Sequence, residues 1–324
     1  MGAETKYLAS TLADHTQDMT GRVAAVTGTT SGTGYVLARE LARRGAEVIL
    51  LNRPSARSKA ALERLQGELP EGKFTAVDCD LQDFASVRAA AETVKGSWSK
   101  LDVLCNNAGV MALKDQATKD GYDVQIQTNC ISHFLLTKEL FGLLKASDDA
   151  RVVNHSSAAR LGGNLEAKYF DKRGGDLGGD GTDEENASFG GPRWERYHQT
   201  KLANCCFTYG LRDRLAAAGI TNVKPIVAHP GLASTQLQHT TDADGGMDAS
   251  SPFMDQAQSA EDGALGIIRG SMDPTAVAGD FFGPAEWLGG PAVRLEPEPL
   301  LTDADNVRIN WDGCEAAVGA FDIA

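Results

Sequence analysis

The sequence is short of positive charge: 31 lysines and arginines stand against 44 aspartates and glutamates, a formal net charge of −13. So acidic a chain repels phosphate-rich partners, which argues against a nucleic-acid or anionic-membrane surface. No apolar run approaches the ~20 residues that cross a bilayer. The stretch from Met1 to Thr20 is polar and mildly acidic, so neither a membrane anchor nor a secretory signal is expected. "MGAETK" has Lys6 where a myristoylation signal needs Ser or Thr. The six cysteines include no C-x-x-C pair and several lie in apolar stretches such as "LDVLCNNAG". They read as reduced, mostly buried thiols of a soluble, cytoplasmic protein, the vicinal Cys205 and Cys206 included.

What is present is the composition of a folded globular chain: 324 residues, 42% hydrophobic and 23% charged. From Gly21 onward, short β-branched runs alternate with longer amphipathic segments. Strands are expected at "RVAAVTG", "EVILLN", "KFTAVDCD", "LDVLCNN", "RVVNHS" and "VKPIVAHP". Helices are expected between them, including a long one over Val124 to Lys145 and another from about Trp194 to Ala218. Near-continuous apolar strands separated by helices predict α/β architecture: a doubly wound, mostly parallel sheet covered on both faces. We read residues 1–20 as an N-terminal extension and 21–324 as a single Rossmann-fold domain, with long loops at about 160–192 and 234–258. The tail from Pro291 is left unassigned.

Two stretches interrupt the rhythm. Asp171 to Gly191 is rich in glycine and acids, too polar to pack, and reads as a mobile loop. Its acids do not follow a calcium-loop spacing, and no metal site is expected anywhere. Ser234 to Met254 lacks clear periodicity but carries Leu237, Met247, Phe253 and Met254, so it could cover a site.

"VTGTTSGTG" follows the first strand directly and opens a helix, with Gly28, Gly32 and Gly34 spaced G-x-x-x-G-x-G. Glycine there lets the backbone turn with φ > 0 and approach a pyrophosphate at the helix N-terminus. The second strand ends "LLNRPS", with Asn52 where an NAD-selecting acid would stand, then Arg53, a fixed cation suited to a 2′-phosphate. Ser31 adds a hydroxyl donor. NADP(H) is therefore favoured over NAD(H), although an arginine at a strand end is also ordinary surface. Asp80, ending the third strand, fits either an adenine amino group or a turn cap. Tyr197 and Lys201, four apart, would share one helix face. Alone, that pair is as compatible with plain helix surface.

Taken in order, "TGTTSGTG", "DCDL", "NNAG", "TNCISHFLLT", "VVNHSSA", "YHQTKLAN" and "HPGLAST" resemble the short-chain dehydrogenase/reductase family over about Gly21 to Thr235, and "GDFFGP" (Gly279 to Pro284) is similar to the family's last strand. The resemblance implies a catalytic set of Asn129, Ser157, Tyr197 and Lys201. The coenzyme contacts it implies add Thr30, Thr33, Leu81, Asn107, Ala108, Gly109, Pro230, Gly231 and Thr235 to Gly28, Ser31, Gly32, Gly34, Arg53, Asp80, Tyr197 and Lys201. In this scheme Tyr197 is the general acid/base, Lys201 lowers its pKa and holds the ribose, Ser157 polarises the substrate oxygen, and Asn129 holds a water reaching Lys201. The implied activity interconverts a fairly apolar aldehyde or ketone and its alcohol. The alternatives are a specialised reductase of a steroid-like, pigment or polyketide substrate, and a non-catalytic coenzyme sensor whose acidic loop docks a partner. Related proteins often pair as homodimers or homotetramers.

Three local departures stand out: Thr33 where the family usually has Ile, Ser132 where Gly is common, and His155 in place of an aliphatic residue. His133, His155 and His229 are read as structural. The long gap from Ser157 to Tyr197, followed by "KLAN", resembles the retinol dehydrogenase, WW-domain oxidoreductase and protochlorophyllide reductase-like branches. The retinol enzymes generally carry a hydrophobic anchor that this sequence lacks, so their lipid substrate is not carried over.

Overall fold

The computed structural model describes residues 3–181 and 189–323. Its strands are β1 (Val23–Thr27), β2 (Glu47–Asn52), β3 (Lys73–Asp78), β4 (Val103–Asn106), β5 (Ala150–His155), β6 (Val223–Ala228), β7 (Phe281–Glu286) and β8 (Gly289–Leu295). They form one sheet in the order β3-β2-β1-β4-β5-β6-β7-β8. All pairings are parallel except β7 with β8. The helices are α1 (Leu8–His15), α2 (Gly32–Arg43), α3 (Ala56–Glu68), α4 (Phe84–Ser97), α5 (Val124–Ile126) and α6 (Ser132–Lys145). After them come α7 (Pro192–Ala217), α8 (Gln236–Ala243), α9 (Ala260–Gly263), α10 (Leu265–Met272), α11 (Pro299–Thr302) and α12 (Ala304–Val318).

The central strands have no solvated face, because alternate side chains enter two different cores. Ala25, Leu104, Val152 and Val227 point into one, which α4, α6, α7 and α12 complete. Val26, Cys105, Val153 and Ile226 point into the other, beneath α2 and α10. This is why those strands read as continuous apolar runs rather than alternating ones. Strand order reverses between β1 and β4, which opens a crevice at the carboxyl ends of the strands.

The structure corrects four readings. "GDFFGP" is not the last strand: the chain turns back at Trp287 and adds antiparallel β8, after which α12 packs its Trp311 against Phe134 and Phe207. The helix expected over Val124 to Lys145 is broken by a π-helical turn at Gln127–Ile131, where the Ser132 N–H reaches back to the Gln127 carbonyl. Ser234 to Met254 is partly regular: Thr235 and Gln238 form a capping box that starts α8. Finally, the polar stretch after Asp171 does pack where it is described. The buried Asp115 carboxylate accepts from Gly175 N and Leu177 N, so backbone polarity rather than apolar area pins it. Residues 182–188 of that loop lie outside the described residues.

The first residues are also tied down. Lys6 N and Tyr7 N donate to the Asp262 carboxylate at 2.8 and 2.9 Å, and Gln17 N donates to Met272 O at 3.1 Å. All six cysteines are buried and unbridged.

Candidate active site

At the crevice, the turn after β1 carries Gly28 at φ 73° and Gly32 at φ 60°. A Cβ on Gly28 would lie 2.8 Å from Ala108 Cα, and one on Gly34 would lie 2.3 Å from both Asn107 Nδ2 and Gly28 O. No side chain fits either place. Gly34 thus sets the packing of α2 against the turns after β1 and β4 rather than lining the cleft. Thr27 Oγ1 receives Asn107 N and Ala108 N, both at 3.0 Å, and sits 3.0 Å from His133 Nε2. His133 Nδ1 faces Asn129 O at 3.1 Å, so Nδ1 bears the proton and Nε2 accepts from Thr27. Burial lowers the His133 pKa to about 4, which keeps the ring neutral.

Where an acid was absent, Asn52 turns to Thr29: Oδ1 accepts from Thr29 N at 2.8 Å and Nδ2 donates to Thr29 Oγ1 at 2.7 Å. The cations beside it are two, not one. Arg53 and Arg57 both reach the cleft, and Arg57 Nη2 lies 3.5 Å from Ser31 Oγ. Sequence reading missed Arg57, although Ser55 caps α3 and thereby turns that residue into the helix's first turn, near Arg53. Two guanidinium groups and a hydroxyl suit a phosphate.

Thr30, Ser31, Gly32, Thr33, Asn107, Ala108, Gly109, Pro230, Gly231 and Thr235 line the same cleft, of about 600 Å³. Asp80 and Leu81 do not. Asp80 Oδ1 accepts from Gln82 N at 3.0 Å, the turn-cap alternative, and buried Leu81 offers its carbonyl to Ser132 Oγ.

At the other end of the cleft, α7 presents Tyr197 and Lys201 beside Ser157. Lys201 Nζ donates to His155 O at 3.1 Å and lies 5.6 Å from the centre of the Tyr197 ring. Ser157 caps the following 3-10 turn, while Ser156 Oγ turns away to Lys201 O at 2.7 Å. Asn129 sits in the π turn. Its Oδ1 accepts from Val110 N and its Nδ2 donates to Val110 O, both at 2.8 Å, and to Thr200 Oγ1 at 3.0 Å. The side chain thus holds the loop after β4 against α7.

The electrostatics also differ from expectation. Burial pushes the Tyr197 pKa up to about 12, and the hydrogen bond with Ser157 offsets only part of the rise. Burial lowers Lys201 to about 8. With both groups inside protein, desolvation outweighs the ammonium's pull on the phenol.

An apolar wall faces Tyr197. Trp194 meets its ring edge-on at 5.8 Å between centroids, and Met111, Ala159, Leu237 and Met247 pack around the two. Phe189 extends the wall to Trp194 at 4.8 Å and to Phe253 at 5.1 Å. The segment carrying α8 is strapped over this wall. Trp194 Nε1 donates to Gly246 O at 2.9 Å, Arg193 Nη1 to Asp244 O at 2.8 Å, and Thr241 Oγ1 to Met111 O at 2.8 Å. On the β5 side, buried Arg160 donates to Ser157 O and pairs with Glu298, so the C-terminal tail braces the serine loop. His229, read as structural, accepts from Gly231 N at 3.2 Å.

The profile of the short chain dehydrogenase family matches residues 22–169. The chain is 33% identical to mouse (Mus musculus) retinol dehydrogenase 13 over 292 residues, 89% of this chain and 73% of that one. It is 37% identical over 226 residues to an uncharacterized oxidoreductase of Schizosaccharomyces pombe, covering 68% of this chain but only 62% of that protein's length. A solved structure of an uncharacterized Mycobacterium paratuberculosis protein superposes with a TM-score of 0.73 at 31% identity, over 96% of this chain and 98% of that one.

Proposed function

The chain belongs to the short-chain dehydrogenase family, and we propose that it is an NADP(H)-dependent reductase of apolar aldehydes or ketones. The observation that carries this is the meeting of Ser157, Tyr197 and Lys201 at one end of a cleft whose other end holds the glycine turn, Arg53 and Arg57. The group fits the residues present. The glycine turn lines the cleft with Gly28 and Gly32, the two arginines and Ser31 suit a 2′-phosphate, and Asn52 is turned to Thr29 and does not line the cleft.

When bound, the dihydronicotinamide supplies the hydride that a carbonyl carbon receives. The phenol of Tyr197, with its pKa raised to about 12, remains protonated at neutral pH and gives its proton to the substrate oxygen. Ser157 orients that oxygen through its hydroxyl. Lys201, mostly charged at neutral pH with a pKa of about 8, steadies the negative charge left on Tyr197 after transfer. At neutral pH the phenol is therefore in the protonated form that reduction uses. The wall of Trp194, Met111 and Met247 excludes water and supports an apolar substrate, in line with the name of the mouse relative, a retinol dehydrogenase.

The test is NADPH and NADH oxidation against a panel of apolar aldehydes and ketones. Tyr197→Phe is expected to lower kcat by about 10²–10⁴, and Arg53→Ala with Arg57→Ala to remove the preference for NADPH. Undiminished turnover in Tyr197→Phe would sink the mechanism.

A further inference from the structure

The helix that carries Tyr197 brings a second titratable ring to the cleft. Trp194 lies one turn before both Tyr197 and His198, its ring centre 5.8 Å from that of the first and 6.2 Å from that of the second. All three line the cleft, together with Ser157, Ala158 and Ala159. Gly162, just past the 3-10 turn that Ser157 caps, lies against one edge of the imidazole. A Cβ on it would come within 2.3 Å of His198 Nδ1 and 2.5 Å of His198 Cβ and Cγ. Nε2 is on the opposite edge of the ring, away from Gly162.

The protein itself makes no use of this imidazole. Neither nitrogen has a hydrogen-bond partner among the described residues, and no charged group contributes to its shifted pKa. Both nitrogens keep accessible surface, so a ligand can reach them. Burial lowers the pKa, so the ring is uncharged at neutral pH, with one nitrogen a donor and the other an acceptor.

The surface between this ring and the reacting groups is apolar, because Ala159 and Trp194 pack with Tyr197. An apolar body laid on Ala159 and Trp194, its carbonyl at Ser157 and Tyr197, brings its far end to the imidazole. A hydroxyl at that end both donates and accepts, so it pairs with either tautomer. A methyl there would take the ring out of water and leave it unpaired, which is costly.

We propose that His198 determines specificity at the far end of the substrate, hydrogen-bonding a hydroxyl carried by an otherwise apolar aldehyde or ketone whose carbonyl lies at Ser157 and Tyr197. The substrate class narrows accordingly, from apolar carbonyl compounds to those with a hydroxyl-bearing end. The inference rests on the reductase reading above.

The experiment compares NADPH-dependent reduction of para-hydroxymethylbenzaldehyde with that of para-ethylbenzaldehyde, and the meta pair likewise. The members of each pair are matched in shape and in carbonyl reactivity. Wild type should prefer the hydroxymethyl member of at least one pair in kcat/KM. His198→Leu should lower that preference about tenfold, and His198→Gln, which keeps a donor and an acceptor, should retain most of it. The same preference in wild type and His198→Leu would overturn this inference and leave the reductase reading standing. So would a wild-type preference for the ethyl member in both pairs, a result that decides the matter even where His198→Leu does not fold. Turnover by wild type of other apolar aldehydes or ketones but of none of these would also count against this inference alone. No NADPH oxidation with any aldehyde or ketone of the panel would overturn the reductase reading and this inference with it.

Discussion

Lys201 lies inside the protein with its ammonium hydrogen-bonded to the His155 carbonyl, and burial brings its pKa down to about 8. The charged form therefore predominates below that value and is lost as pH rises through it. Tyr197, raised to about 12, does not titrate in the same range. It follows that kcat/KM for NADPH-dependent reduction should be level near neutrality and fall above about pH 8, approaching tenfold per unit. A pH profile of the coenzyme-limited rate checks this, and a limb first appearing above about pH 10, where an unburied lysine titrates, would contradict it. The residue scale is also where sequence reading was most uneven. The order of motifs brought Ser157, Tyr197 and Lys201 to notice, because their chemistry is carried by side-chain type and spacing. The destinations of Asp80, Leu81 and Arg57 were not legible, because a motif's spacing does not say whether a carboxylate turns to its own backbone or to the cleft. The Tyr197 pKa was misjudged for a related reason: spacing shows the neighbouring charge but not how much water has been removed.

Elements joined by single buried contacts are the next level. Asp123 caps α5, its Oδ2 accepting from Gln125 N and Ile126 N, while its Oδ1 receives Arg196 Nη1 at 2.6 Å. Arg196 in turn donates to Leu113 O at 2.8 Å and is the residue before Tyr197. One ion pair thus fixes the helix of Tyr197 against the turn that bears Asn129. Burial raises the Asp123 pKa even against its arginine, so the pair is not a store of stability, but breaking it leaves an uncompensated guanidinium inside the protein. Asp123→Ala should cost about 3–5 kcal/mol, read from the urea unfolding midpoint. A cost below about 1 kcal/mol, the range of exposed pairs, would show that the pair does not hold the two elements. At this scale the strands and flanking helices were legible from apolar periodicity. The π turn was not, since it follows from tertiary contacts: Asn204 Nδ2 donates to Asn129 O at 2.7 Å from 75 positions away. Strand β8 was hidden by its glycine- and proline-containing edge sequence, in which Ala292 alone is buried and no face imposes a pattern.

Across the whole molecule, three buried histidines sit at the carboxyl ends of the strands or against them, and all are neutral. Burial lowers His133 to about 4 and His155 and His229 to about 3. An unfolded chain takes protons on these rings at a pKa of about 6.5, so below that pH the unfolded state binds more protons than the native one. Their contribution to stability is complete above about pH 6.5 and is lost progressively as pH falls toward their folded values. The native carboxylates act in a lower window. Asp102, Asp149 and Asp273 have folded pKa values below the ordinary 3.8, held there by hydrogen bonds and cationic partners against the opposing effect of burial, and their share persists until the pH drops beneath that value. Between about pH 6.5 and pH 4.5 the loss should therefore come from histidine, with His198, whose pKa burial also lowers, adding to it and the raised Asp123 working against it. Urea titrations near pH 7 and pH 5 should show the midpoint falling, with a net uptake of about three protons on unfolding at the lower pH. A stability independent of pH across that interval would mean that water or a proton reaches these rings in the native state.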